Sequence, residues 1–116
     1  MRVVMAALVM ALAWPAPASS ASAPTQASVT ITLHNHRFTP ASINAPADER
    51  LQIMLVNDDA ATEEFDSHDL QIEQLVTPHG RVRFTVGPLR SGRYAFMGEF
   101  HPETAQGVII ASAQHP

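Results

Sequence analysis

The 116-residue sequence contains no cysteine and no lysine, so all seven of its basic residues are arginine. Without cysteine the chain forms no disulfide and offers no thiolate to a metal. Its net charge of −4 disfavours nucleic acid and anionic membrane as partners. It also lacks a Gly-x-Ser-x-Gly or comparable nucleophile motif. We therefore expect a protein that is not an enzyme and has no small-molecule substrate.

Long hydrophobic runs are also scarce, apart from one at the N-terminus. The run Val3–Trp14 is 12 residues long, whereas a membrane-spanning helix needs about 20. Small residues and prolines follow it, as in a cleaved secretory signal, with cleavage between Ser19 and Pro24. A membrane anchor is the alternative, and the shortness of the run disfavours it. The sequence thus predicts a periplasmic protein with a signal peptide at 1–21, a linker at 22–28 and a domain at 29–114.

The remainder of the sequence consists of short alternating runs separated by turn residues. Apolar residues recur at every second position in VTITL, LQIMLVN and RVRFTV, and GRYAFMG and GVIIASA add two further runs. Pairs such as Thr39-Pro40, Gly87-Pro88 and Ser91-Gly92 interrupt them. Period-two runs at this spacing, with no convincing helical stretch, predict an all-β sandwich or barrel.

The stretch from Asp58 to Glu73 is acidic, with seven of the eleven carboxylates and no arginine. One interpretation is a solvated, weakly ordered loop. The other is a loop held against the core by Phe65 and Leu70, where crowded carboxylates would be relieved by a bound cation. We favour the second interpretation, because both apolar residues lie inside the acidic stretch.

The order of these segments resembles that of a cupredoxin-like domain over residues 28–113. The matching segments are RFTPASINAPADERLQIMLVNDD, EEFDSHDL and GRYAFMGEFHPETAQGVIIA. The last two are most similar to domains found with bacterial high-affinity iron permeases, in EfeO-type and related ferrous-iron uptake systems. The resemblance implies a Greek-key β-sandwich and a role in iron uptake.

Carried over residue by residue, the resemblance is incomplete at the metal loop. His101 matches the loop histidine, but Gly98 stands where a cupredoxin has its cysteine. Gln106 lies near the place of the axial methionine. The upstream histidine position falls closest to Glu64, with His68 slightly further on. Because a blue-copper centre needs two histidines and a thiolate, this chain cannot form one.

Four residues remain as candidate ligands of a cysteine-free site: Glu64, His68, Glu99 and His101. Glu99 and His101 are two apart, so an extended segment would direct both to one side. Glu64 and His68 are four apart, which suits one face of a helical turn. Carboxylates with imidazoles suit a divalent transition metal, here copper(II) or iron.

Other residues near these segments carry weaker signals. Asp66, Asp69 and Glu103 are weaker candidates, as groups that support the ligands or line the path by which an ion enters. His34 and His36 share one face of the first strand, as a solvent-facing pair or as an accessory metal site. Met54 and Met97 are expected to fill the core rather than contact a metal.

Three functions remain open at this point. The first is a periplasmic metal-binding protein that delivers its ion to an inner-membrane iron permease or to a periplasmic iron- or copper-binding protein. The second is a small copper redox or oxidase-like protein. The third is a metal-free interaction domain. The carboxylate-rich candidate set favours the first.

Overall fold

The computed structural model describes residues 2–4, 6–7, 9–16 and 26–113. The strands in this part are β1 Ala27–His34, β2 Arg37–Thr39, β3 Ser42–Pro46, β4 Leu51–Asn57, β5 Glu63–Ser67, β6 Ile72–Val76, β7 Arg81–Val86, β8 Gly92–Gly98 and β9 Gln106–Ser112. None of the described residues is helical, so this part of the chain has no helix that could cross a membrane. The predicted signal-cleavage position lies outside the described residues.

The strands form two sheets with orders β2-β1-β4-β7 and β3-β9-β8-β5-β6. The pairs β1–β4 and β3–β9 are parallel, and the other paired strands are antiparallel. Several neighbours in a sheet are therefore distant in sequence, as Greek-key connections require. The predicted all-β, Greek-key sandwich is confirmed.

The core is built from alternate residues of the strands. Ile31 and Leu33 of β1 and Ile53 and Leu55 of β4 are fully buried, as their period-two spacing predicts. Phe65 is also fully buried, and its ring lies 4.7–6.0 Å from the rings of three other phenylalanines. Each such apolar side chain contributes roughly 1.5–3 kcal/mol of burial free energy.

The acidic stretch is not the loop that the sequence predicts. Glu63–Ser67 forms β5, a turn follows, and Ile72 begins β6. The strand buries Glu63, Phe65 and Ser67 on one face and half-exposes the two residues between them. Two of the three buried residues of this strand are polar. The segment therefore lacks the alternation of apolar and polar residues by which a strand is recognised in a sequence. The predicted attachment of this stretch to the core through Phe65 is confirmed.

Candidate metal centre

The central residue of the site is Glu63, whose side chain is only 1% exposed at the start of β5. Its Oε1 accepts hydrogen bonds from the backbone N–H groups of Glu64 (3.0 Å) and Phe100 (2.8 Å). Its Oε2 lies 2.6 Å from Nδ1 of His101. A buried carboxylate is costly unless its oxygens are hydrogen-bonded, and both oxygens of Glu63 are. Glu63 therefore fixes both the β8–β9 loop and the His101 ring.

Gly98, at the position of the cupredoxin cysteine, has no room for a side chain. A Cβ added there would lie 2.7 Å from Cβ of Ala105, 2.8 Å from Cδ of Glu63 and 3.0 Å from its Oε1. The carboxylate of Glu63 thus fills the space into which a residue-98 side chain would point.

His36 lies against His101, with the ring centroids 3.6 Å apart and the planes 11° from parallel. It belongs to the two-residue turn between β1 and β2. The side chains of His36 and His101 are 40% and 30% exposed. Together with Glu63 they form the one group of three or more potential ligand residues within the described part of the chain, their ligand atoms lying within 4.8 Å of one another.

A second carboxylate, Asp59, stands behind His36. Its oxygens accept hydrogen bonds from the backbone N–H groups of Asn35 (2.8 Å) and His36 (2.9 Å). Burial, the largest single influence, acts to raise the pKa of Asp59. The hydrogen bonds from His36 and Asn35, with the imidazoles of His36 and His34, outweigh it and hold the pKa below its ordinary value.

The structure does not bring the four predicted ligands together. Only His101 belongs to the His36–Glu63–His101 group. Glu64 lies on the opposite face of β5 from Glu63, because successive residues of a strand alternate. Glu99 is exposed in the β8–β9 loop, and His68 is exposed in the turn after β5. The helical turn that would pair Glu64 with His68 is absent, since residues 63–67 are a strand. Metal binding by Glu64, His68 and Glu99 stays a prediction.

Of the residues with weaker signals, His36 belongs to this group, whereas Asp66, Asp69, Glu103, Gln106 and the methionines lie outside it. Asp69 accepts a hydrogen bond from the N–H of Ala95 at 2.9 Å and so supports β8. The amide of Gln106 donates to the carbonyl of Pro102 at 2.7 Å. Met97 is 42% exposed, so the expectation that it fills the core is wrong.

Glu64 and Glu99 instead contribute to an acidic surface on the outer face of the second sheet. The negative charge of Glu64 is the main cause of a raised pKa at Glu99, followed by that of Asp66. Loss of water contacts, a hydrogen bond with Asp66 and the charge of Glu73 act in the same direction. The ionised carboxylates of this surface therefore repel one another at neutral pH.

Replacing Glu99 with glutamine is expected to raise the melting temperature slightly at pH 7. A carboxyl whose pKa is raised by folding favours the folded state at low pH and loses that contribution as pH rises through the folded-state pKa. The gain from Glu99→Gln should therefore disappear below about pH 4, where the carboxyl is protonated. Thermal unfolding at both pH values tests this, with the exposed loop residue Glu103→Gln as control. An unchanged or lower melting temperature at pH 7 would contradict it.

Comparison with known proteins places this chain in a family. A family model described as a cupredoxin-like domain matches residues 3–111. The chain belongs to the cupredoxin-like family. The uncharacterized protein RP394 of Rickettsia prowazekii (strain Madrid E) is 39% identical over 82 residues, which cover 71% of this chain. The cupredoxin-like chain spans 66% of that relative's length.

Solved cupredoxin structures share the fold. Auracyanin A, a "blue" copper protein of Chloroflexus aurantiacus, aligns with a TM-score of 0.66 and 12% identity, over 76% of this chain and 100% of its own. A purple cupredoxin of Nitrosopumilus maritimus aligns with a TM-score of 0.57 and 17% identity, over 72% of this chain and 98% of its own. A copper(I) form of an amicyanin mutant aligns with a TM-score of 0.60 and 9% identity, over 73% of this chain and 82% of its own. The family, with the His36–Glu63–His101 group, supports a metal-binding protein of cupredoxin type.

Proposed function

We propose that this cupredoxin-like protein binds a divalent transition metal, copper(II) or iron, through His36 and His101. The observation that carries the proposal is the buried Glu63 carboxylate, which fills the space beside Gly98 and holds His101. Two imidazoles beside a carboxylate form a nitrogen and oxygen donor set of hard to borderline character. Such a set fits copper(II) or iron(II) and does not fit the thiolate chemistry of a blue-copper site.

Glu63 serves this site best by orienting His101. The 2.6 Å separation between Oε2 and Nδ1 is that of a short, charge-assisted hydrogen bond. Two ligands of one ion, each about 2.0–2.1 Å from it, lie further apart than this in tetrahedral or octahedral geometry. When Nδ1 donates to the carboxylate, Nε2 keeps its lone pair and is the ligand atom. A carboxylate behind a metal-binding histidine is a common supporting arrangement.

The stacked histidines must separate to share an ion. An imidazole nitrogen donates a lone pair that lies in the ring plane, and these two rings are stacked, with their centroids 3.6 Å apart and their planes 11° from parallel. His36 is the more exposed of the two rings, and His101 is held by Glu63. Metal binding should therefore turn the His36 ring while His101 stays in place.

The proposed role is metal capture and delivery in the periplasm. The partly exposed histidine side chains give an ion access from solvent, and ligation without a thiolate favours exchange over redox cycling. The resemblance to iron-permease-associated domains supports an inner-membrane iron permease or a periplasmic iron- or copper-binding protein as the recipient. The second candidate is a small copper redox or oxidase-like protein, which the copper proteins among the structural neighbours favour.

Metal titration of the purified protein tests the proposal. Copper(II) and iron(II) should each be examined for a single site, and copper loading should give only faint colour, because no thiolate is present. His36→Ala should lower the affinity by about tenfold or more, since a lost ligand costs at least as much as a lost supporting group. The control is His34→Ala, an exposed histidine two positions away.

Three results would reject parts of the proposal. Absence of binding in the wild-type protein would support the metal-free interaction domain. An intense blue absorption would support the redox alternative. Normal growth of a deletion strain at low iron would reject the role in iron uptake and leave metal binding untouched.

A further inference from the structure

The turn between β1 and β2 has an unfavourable backbone conformation at the residue that faces His101. Both turn residues, Asn35 and His36, have positive φ angles, 51° and 57°. Positive φ at both positions of a two-residue hairpin loop is the pattern of a type I′ turn, which favours Asn-Gly. Asparagine suits its position, but a histidine takes the place of the preferred glycine, and a non-glycine residue in the left-handed region persists only where its surroundings hold it.

Asp59 supplies that support. Each of its oxygens accepts one backbone N–H of the turn, from Asn35 at 2.8 Å and from His36 at 2.9 Å. The Oδ2 atom is also 3.5 Å from Nδ1 of His36. Hydrogen bonds to an ionised carboxylate are stronger than those between neutral groups. A single side chain therefore holds both left-handed residues.

Asp59 is itself fixed by a buried residue of the core. Its N–H donates to Oδ1 of Asn57 at 2.9 Å, and Asn57 is 1% exposed. The Asn57 amide donates in turn to the carbonyls of Ala61 at 2.8 Å and Thr77 at 3.1 Å. A chain of hydrogen bonds thus connects the end of β4 to the turn that carries His36.

We propose that Asp59 is the positioning residue for His36, holding the backbone of this histidine beside His101 so that the His36 ring, once turned, reaches the same metal ion as His101. The carboxylate fixes the turn backbone through two hydrogen bonds, whereas its 3.5 Å contact with the ring is longer than a typical hydrogen bond. This inference rests on the proposed metal site, but its structural part applies to the metal-free protein as well. Each histidine then has its own supporting carboxylate, Asp59 for His36 and Glu63 for His101.

The test compares Asp59→Ala with Asp58→Ala, an exposed neighbour of the same charge. NMR of the metal-free protein should show cross-peaks between the His36 and His101 rings in wild type and Asp58→Ala, and none in Asp59→Ala. The copper(II) affinity of Asp59→Ala should fall about tenfold. Its electron paramagnetic resonance spectrum should show hyperfine coupling to one fewer nitrogen than wild type.

A double-mutant cycle shows whether Asp59 acts through His36. Adding Asp59→Ala to His36→Ala should change copper(II) affinity by no more than about twofold, because the residue it positions is already gone. Asp59→Asn, which keeps one acceptor oxygen, should be intermediate and covers the case in which the alanine variant does not fold.

Two results would overturn the inference. One is the retention of ring cross-peaks and full affinity in Asp59→Ala, or in Asp59→Asn if the alanine variant does not fold. The other is an equal loss of affinity from Asp59→Ala with and without His36. If wild type binds no metal, the proposed function fails, and the NMR comparison alone still decides the role of Asp59.

Discussion

Glutamine at position 63 is expected to lower copper(II) affinity by about 10–100-fold while the protein stays folded. The amide oxygen can still accept from Glu64 and Phe100, which obliges the amide nitrogen to face Nδ1 of His101. That nitrogen is a donor, so Nδ1 must accept and the proton moves to Nε2. Nε2 then has no free lone pair for a metal. Calorimetric titration measures the affinity, and nitrogen chemical shifts report the His101 tautomer.

Glu64→Gln is the matched control for this experiment. It removes the same charge one residue away, on the outer face of β5. Its affinity should remain close to that of wild type, and its His101 tautomer should not change. Wild-type affinity in Glu63→Gln, or an unchanged tautomer, would show that Glu63 does not orient a ligand.

Alanine at position 98 is expected to destabilise the fold by about 3 kcal/mol, the upper part of the range for overpacking. The added methyl group would stand 2.7 Å from Cβ of Ala105 and 2.8 Å from Cδ of Glu63, both on buried residues. Neither neighbour is the free end of a flexible exposed chain, so the backbone must shift. For a domain of this size the melting temperature should fall by roughly 12–24 °C.

The double variant Gly98→Ala/Ala105→Gly tests the cause of that loss. Removing the Ala105 methyl group relieves one of the two contacts, so part of the lost stability should return. The contact with Glu63 remains, so metal affinity should stay below that of wild type. A melting temperature for Gly98→Ala within about 2 °C of wild type would mean that the space beside Glu63 is larger than the structure shows.

Period-two patterning predicted most of the fold because it reports burial directly. VTITL and LQIMLVN alternate cleanly, and both lie in the core as β1 and β4. The pattern failed at β5, where Glu63 and Ser67 occupy the buried face beside Phe65. A buried carboxylate is stable only with partners from other parts of the chain, here the β8–β9 loop. No local property of the sequence identifies those partners.

Only part of the site was predicted, because its residues also meet through contacts between distant parts of the chain. The loop motif identified His101, but the sequence pointed to Glu64 as the carboxylate, whereas its neighbour Glu63 is the residue that contacts His101. A shift of one residue along a strand moves a side chain to the opposite face. The buried Phe65 was the available signal, since it assigns Glu63 to the inner face. The approach of His36 to His101 depends on tertiary packing of two turns, and the sequence offered it only as a possible accessory site with His34.

The three residues of the candidate metal centre come from three separate parts of the chain. Glu63 and His101 alone are 38 positions apart, so a denatured chain does not hold them together. An ion that binds only the folded state adds RT ln(1 + [L]/Kd) to the unfolding free energy, about 2.7 kcal/mol at one hundred times Kd. For a small domain without disulfide bonds this is a large share of a typical stability. The free metal concentration around the protein would then set its resistance to unfolding and proteolysis as well as its occupancy.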